Sequence, residues 1–262
     1  MKRIESRSNP DYRLLLRVIA GRRQPGERSD DTARVALEGV HLCESWLATA
    51  GSPELAFFDA ERLDHPEIAA LLAAVGPDRV RICPASLLQA ASQVVQGQGV
   101  IFVGNAPRPT VPPRLRENCL WLDRVQDPGN MGTLLRTAAA AGMRQVYVSA
   151  GSVAVWSPKV LRSAQGAHFM LQIHEGQDLL ALRDRLDIPL LATALDDAVS
   201  LYEAELPAAA AWVFGNEGRG VAPQLMAAAS QRVFIPQDRA VESLNVAVAA
   251  GICLFEQRRR SL

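Results

Sequence analysis

Cysteine is scarce. Cys43, Cys83, Cys119 and Cys253 are spread over 262 residues, and no CxxC pair occurs. The four histidines form no cluster with the cysteines at zinc-like spacing. Neither a disulfide framework nor a structural metal is expected, and the thiols are expected reduced, in the cytoplasm. No apolar run reaches the roughly 20 residues of a bilayer span. The N-terminal MKRIESRSNPDYR lacks the apolar core of a secretion signal. No histidine falls in a motif, so a Ser/His triad has no support. GxGxxG is missing too, as is a matching acidic residue after the first strand, which argues against a nucleotide-binding enzyme of the Rossmann type. The formal net charge is zero, so bulk charge does not single out a nucleic acid.

What is present is a globular composition. Apolar residues make up 48% of 262 residues, enough for one large domain or two modest ones. The charges are unevenly placed. Lys2, Arg3, Arg7, Arg13, Arg17, Arg22, Arg23 and Arg28 face only Glu5, Asp11 and Glu27 in the first 28 residues, and Arg258, Arg259 and Arg260 close the chain. Arginine suits bidentate phosphate contact, although a solvated amphipathic helix accounts equally well for the basic N-terminus.

Strands and helices alternate throughout, which predicts an α/β fold. In the N-terminal part, helices are expected over 12–20, 41–49, 68–75 and 87–95, and strands over 33–39, 55–59, 79–83 and 100–103. NAPRPTVPPRLR, residues 105–116, holds four prolines and reads as a semi-rigid linker. The division is therefore 1–104 as a smaller α/β domain, 105–117 as linker and 118–262 as a second α/β domain. Strands of the second domain are expected near 119–125, 145–149, 189–193, 211–214 and 232–235. Parallel α/β sheets place their sites at the carboxyl ends of the strands.

Three stretches fall at such ends. LDRVQDPGNMGTLLRTAAAAG, residues 122–142, reads as strand, polar turn and helix. Asp127, Pro128, Gly129 and Asn130 have turn chemistry, and Asn130 sits where an N-cap would. Leu134, Leu135, Ala138 and Ala139 make an apolar stripe, which leaves Arg136 off it beside Thr133 and Ala140. A strand end, a Gly-Asn turn and an exposed arginine suit an anion. FGNEGRGV, residues 214–221, places Gly215, Gly218 and Gly220 after a strand, where the backbone can approach a ligand closely; Asn216 and Glu217 read equally as caps of the next helix. In FIPQDRAVESLNVAVAAGICLFE, residues 234–256, Ile235-Pro236 ends a strand and Ser243 or Asn245 starts a helix. That helix is apolar nearly all round, which predicts burial on every side, in a core or at a subunit interface. In SPKVLRSAQGAHF, residues 157–169, Lys159 and Arg162 share a helix face and read as phosphate contacts or as solvated cations.

Taken in order, the three stretches resemble the signature motifs of the SpoU/TrmH family of RNA ribose 2′-O-methyltransferases, of the SPOUT superfamily, over about residues 118–258. SPKVLRSAQGAHF resembles the family too. IESRSNP at 4–10 and VALEGVHLCESWL at 35–47 resemble the small substrate-binding domain of its rRNA-acting branch, which is similar to ribosomal proteins that bind kinked RNA. The resemblance implies a C-terminal parallel sheet with a trefoil knot and a homodimer whose sites draw on both chains. It also implies S-adenosylmethionine as the only cofactor, no metal, and RNA as partner: rRNA first, tRNA second. It implies catalytic roles for Asn130, Arg136, Glu217, Ser243 and Asn245. Cofactor contacts are implied for Thr193, Gly215, Ile235, Gln237 and Leu244, and RNA contacts for Lys159 and Arg162. Where the family has Met, a small residue and Gly after Ile-Pro, this chain has Gln237, Asp238 and Arg239; a serine is common at Ala247. Arg239 motivates a rival reading, an RNA-binding protein of this fold without catalysis.

Overall fold

The computed structural model describes residues 1–21, 33–94, 97–238 and 240–262. Arg22, Arg23, Glu27, Arg28, the end of the helix expected at Val95, and Arg239 lie outside the described residues. The chain divides into two compact units, Met1–Pro107 with Trp156–Leu161, and Arg108–Val155 with Arg162–Leu262. The change of unit at Pro107 falls within the proline-rich segment.

The first unit holds β1 (Lys2–Arg3), α1 (Pro10–Ile19), β2 (Arg34–Glu38), α2 (Val40–Thr49), β3 (Leu55–Asp59), α3 (Pro66–Ala74), β4 (Val80–Cys83), α4 (Ala85–Ala91) and β5 (Val100–Asn105). The sheet order is β1-β4-β3-β5-β2. β5 runs antiparallel to both its neighbours, and the other pairs are parallel. α1 starts two residues earlier than the apolar pattern suggests. The Asn9 side chain caps it, accepting from Asp11 N at 2.9 Å, and Pro10 takes the first turn, where its missing N–H costs nothing. Tyr12, Leu15, Phe57, Leu88 and Val103 meet in the core of this unit.

The second unit begins with β6 (Cys119–Leu122), α5 (Pro128–Ala140) and β7 (Gln145–Ser149). α6 (Pro158–Ala164), whose residues up to Leu161 group with the first unit, comes next in the chain, and β8 (Gln172–Gln177), α7 (Leu179–Leu182), β9 (Leu190–Thr193) and β10 (Val199–Ser200) follow. The chain closes with β11 (Ala211–Phe214), α8 (Pro223–Ala228), β12 (Gln231–Phe234) and α9 (Val246–Arg260). The seven strands are ordered β10-β12-β9-β11-β6-β7-β8, and every pairing is parallel. Cys-Leu-Trp-Leu in β6 and Ala-Trp-Val-Phe in β11 are buried at every position, the unbroken apolar run that a strand covered on both faces requires.

In the single chain, α9 is covered on one side. Ala247, Ala250, Cys253, Leu254 and Gln257 are buried, and α9 packs against α5. On its other side Val248 and Phe255 are 52% and 47% exposed. Gln257 ties α9 to the sheet: its Oε1 accepts from Trp212 Nε1 at 2.8 Å, and its Nε2 donates to Pro207 O at 2.9 Å. All four cysteines are buried, which pushes the thiols of Cys83, Cys119 and Cys253 up to about 12 and that of Cys43 well up. No helix among the described residues is long and apolar enough to cross a membrane.

Candidate active site

Register places the motifs side by side. Phe214 pairs with Leu122, Val213 with Ala192 and Val233 with Thr193. The strands therefore end at one level, and the segments leaving β6, β11, β9 and β12 converge there, at the carboxyl edge. They surround a cavity of about 590 Å³, within the size range of small-molecule and cofactor sites. Asn130, Thr193, Gly215, Glu217, Ile235, Gln237, Ser243, Leu244 and Asn245 all line it, with Phe214, Phe234 and Val246 as apolar wall. The lining includes neither Arg136 nor Lys159 nor Arg162. Among the described residues no group of three or more His, Cys, Asp or Glu could hold a metal ion.

One expectation about the first motif is corrected. The N-cap of α5 is Asp127, whose Oδ1 accepts from Asn130 N at 2.8 Å. Pro128 fills the first turn, so Gly129 and Asn130 are already helical. The sequence does carry the signal: a cap-competent Asp immediately before Pro. The Asn130 side chain is thereby free for other partners. Its Nδ2 donates to Glu217 Oε1 at 3.1 Å, and its Oδ1 accepts from Asn245 Nδ2 at 2.8 Å. Asn245 meanwhile caps α9, its Oδ1 accepting from Ala247 N at 2.9 Å. Glu217, Asn130 and Asn245 thus form one hydrogen-bonded chain that joins all three motifs.

Glu217 accepts from two backbone groups as well, Asp127 N to Oε1 at 2.9 Å and Gln126 N to Oε2 at 3.1 Å. Partial burial pushes its carboxyl up, but hydrogen bonds from the Asp127 N–H, its own backbone, the Asn130 amide and the Gln126 N–H outweigh this and leave it below the usual carboxylate value. It is ionised at neutral pH. It caps no helix: α8 starts at Pro223 after Ala222. Asn216 closes its own turn, accepting from the N–H groups of Gly218 and Arg219 at 3.0 Å each.

Gly215 is required by packing. A methyl there would sit 2.1 Å from the Gly220 carbonyl carbon and 2.2 Å from Val221 N, because the Asn216–Gly220 loop folds back in a two-way backbone bridge. Gln237 Nε2 donates to Val241 O at 2.9 Å, closing the loop before Ser243. Ser243 is exposed on the rim. Arg136 is exposed on α5, with Thr133 and Ala140 on the same side.

Sequence reasoning missed Asp123 and Arg124. Asp123 is 4% exposed and accepts from Ala222 N at 2.8 Å, Ser149 Oγ at 3.4 Å and the Arg124 guanidinium at 3.0 Å on each oxygen. A buried carboxylate after an apolar strand has no pattern to announce it.

Fold and site together define an α/β protein with a cofactor-sized cavity at the carboxyl edge of a parallel sheet. Residues 117–255 match the SpoU rRNA Methylase family, and the chain belongs to that family. An uncharacterised tRNA/rRNA methyltransferase of Synechocystis sp. is 34% identical over 98% of this chain and 93% of that protein. The 23S rRNA (guanosine-2′-O-)-methyltransferase RlmB of Burkholderia sp. is 34% identical over 86% of this chain and 96% of its own length. Among solved structures, the AdoMet-bound rRNA methyltransferase from Sinorhizobium meliloti superposes with a TM-score of 0.84 at 25% identity, covering 100% of this chain and 98% of that one.

Proposed function

We propose that the protein transfers a methyl group from S-adenosylmethionine to a ribose 2′-hydroxyl of rRNA. The observation that carries this reading is the Glu217–Asn130–Asn245 chain on the rim of the 590 Å³ cavity. The relatives named for guanosines of 23S rRNA make such a guanosine the target we would test first. The residues fit the cofactor: Thr193, Gly215, Ile235, Gln237 and Leu244 line the cavity, and Gly215 leaves its backbone bare where a side chain cannot fit. When bound, the cofactor supplies an electrophilic methyl on a sulfonium.

The chain's own groups prepare the hydroxyl. Asn130 and Ser243 face the cavity and orient the ribose, whose proton leaves to water. Glu217 serves as an ionised anchor: its oxygens are occupied by three N–H donors, and its depressed pKa makes it a weak base. Arg136 is a permanent cation, suited to clamp the adjacent phosphate and stabilise the developing alkoxide. It lies outside its own chain's cavity lining, which is why the reading includes a homodimer. The exposed Val248 and Phe255 on α9, with the half-buried Ile252 between them at helical spacing, support a second copy as their cover. The trefoil knot, a cytoplasmic location, an RNA-binding role for residues 1–104 joined by the 105–117 linker, and RNA contacts at Lys159 and Arg162 belong to the same proposal.

Calorimetric titration tests it. S-adenosylmethionine and S-adenosylhomocysteine should each bind at about one site per chain, and Arg136→Ala should abolish methyl transfer with cofactor affinity nearly unchanged. No binding of either compound, with RNA affinity retained, would favour the non-catalytic RNA binder. Wild-type turnover in Arg136→Ala would refute the role given to that residue.

A further inference from the structure

Arg124 occupies a backbone conformation that an arginine does not choose. Its φ is +56°, in the left-handed region where Cβ crowds the following carbonyl and which glycine and asparagine tolerate best. No turn chemistry of the arginine itself explains this choice. Backbone outliers of this kind persist where the surroundings hold them, and they gather at functional sites.

The surroundings here hold the guanidinium. Nε and Nη2 reach the two oxygens of Asp123 at 3.0 Å each, a bidentate fork in a fixed plane. Asp123 is in turn fixed by Ala222 N and Ser149 Oγ, so three elements, β6, β7 and the segment before α8, build its support. The Arg124 N–H donates to Ser149 Oγ at 2.8 Å. Its carbonyl accepts from Asn216 Nδ2 at 3.0 Å, and Asn216 lines the cavity. Two residues further on, Gln126 N holds Glu217. The fork uses one side of the guanidinium. Nη1 has no partner among the described residues, and the side chain is 39% exposed.

We infer that Arg124 is an RNA-backbone contact of the proposed reaction: its outward Nη1 takes a phosphate oxygen next to the target ribose, and Asp123 fixes its direction. A lone surface arginine is a mobile cation. One locked by a buried carboxylate, its carbonyl tied to the cavity-lining Asn216, offers a preorganised donor pair and loses less freedom when it engages phosphate. The inference rests on the RNA-methyltransferase reading and adds a contact to it.

The test compares wild-type protein with Arg124→Gln and Arg124→Lys, using a 23S rRNA transcript and S-adenosylmethionine. For Arg124→Gln, KM for the transcript should rise several-fold to about tenfold. The slope of log affinity against log salt should become shallower by about 0.7 to 1, the loss of one phosphate contact. kcat and the affinity for S-adenosylhomocysteine should stay near wild type. Arg124→Lys keeps the charge and should recover most of the salt slope, and it carries the comparison should the glutamine variant fold poorly. Wild-type KM and slope in Arg124→Gln would overturn the inference, as would a loss confined to kcat. Absence of cofactor binding and methylation by the wild-type chain would instead overturn the functional reading beneath it.

Discussion

Glu217→Gln separates an anchoring carboxylate from a proton acceptor. The carboxylate accepts from Asp127 N at 2.9 Å, Asn130 Nδ2 at 3.1 Å and Gln126 N at 3.1 Å, and it donates to nothing. An amide of the same shape keeps one acceptor oxygen and turns an NH₂ toward a donor. Hydrogen bonds to charged groups contribute roughly 1.5–3 kcal/mol each, but Glu217 is solvent-exposed and screening reduces this. The net cost is about 1–2 kcal/mol, or a few degrees in Tm for a unit of this size. Oε1 receives both Asp127 N and Asn130 Nδ2, so the amide oxygen belongs there and the NH₂ faces Gln126 N. Asn130 then keeps Asn245 but exchanges a charged acceptor for a neutral one, and its looser hold should lower kcat up to about 10-fold. The acid limb of the stability curve gives an independent reading. A carboxyl held below its ordinary value stabilises the fold at pH above that value, and the contribution disappears as pH falls through the depressed one. Wild type should therefore lose stability more steeply than Glu217→Gln in this acid range, measured by urea denaturation at several pH values. Loss of activity with unchanged Tm and an unchanged acid limb would refute the anchoring role and place Glu217 in the chemistry; wild-type behaviour on all three would refute both.

Further perturbations follow from the same geometry. Gly215→Ala must push Gly220 and Val221 aside, at about 1–3 kcal/mol, and should reduce affinity for S-adenosylhomocysteine in calorimetry more than it reduces Tm. Asn245→Ala removes the cap of α9 and the bond to Asn130; about 1 kcal/mol of stability should go with the cap, while Asn245→Asp should restore the Tm but not the turnover. His168 is buried, which lowers its pKa to about 4, and its Nε2 lies 2.8 Å from Val155 O. A histidine kept neutral in the fold costs stability as pH falls from about 6.5 toward 4, up to ~3 kcal/mol. Replacing His168 with glutamine should flatten that part of the urea-derived profile.

Most strands that position the site were legible from their buried apolar runs: β7 and β11 occupy the residues that the pattern indicates, and β6 and β9 lie within a residue or a few; β12, Gln-Arg-Val-Phe, is found one residue early although only Val233 is buried. β8, Gln-Ile-His-Glu-Gly-Gln, was not, because an edge strand needs only Ile173 and His174 inside and shows no apolar run. The two-residue β10 is too short to carry a period. Residue types told where polar groups converge but not which bond each makes. Asn130 and Asp127 are both competent caps, and only the three-dimensional structure shows that Asp127 takes the cap and so frees Asn130 to bridge Glu217 and Asn245. The apolar helix α9 read as buried all round; one isolated chain covers only the face toward α5, and the uncovered Val248 and Phe255 are the physical content of the dimer proposal. Asp123 and Arg124 were invisible, since neither backbone handedness nor a buried ion pair between adjacent residues leaves a trace in periodicity.

Ribose methylation itself is the most direct test of the central claim. The purified protein, S-adenosylmethionine carrying a labelled methyl and a 23S rRNA transcript would be incubated, and the RNA then cleaved with alkali. A 2′-O-methyl group blocks attack of that oxygen on its own phosphodiester, so the label should be retained in an alkali-resistant dinucleotide, and nuclease digestion should release it as a 2′-O-methylnucleoside. Label recovered on a base, or no label on RNA from protein that binds the cofactor, would contradict the account.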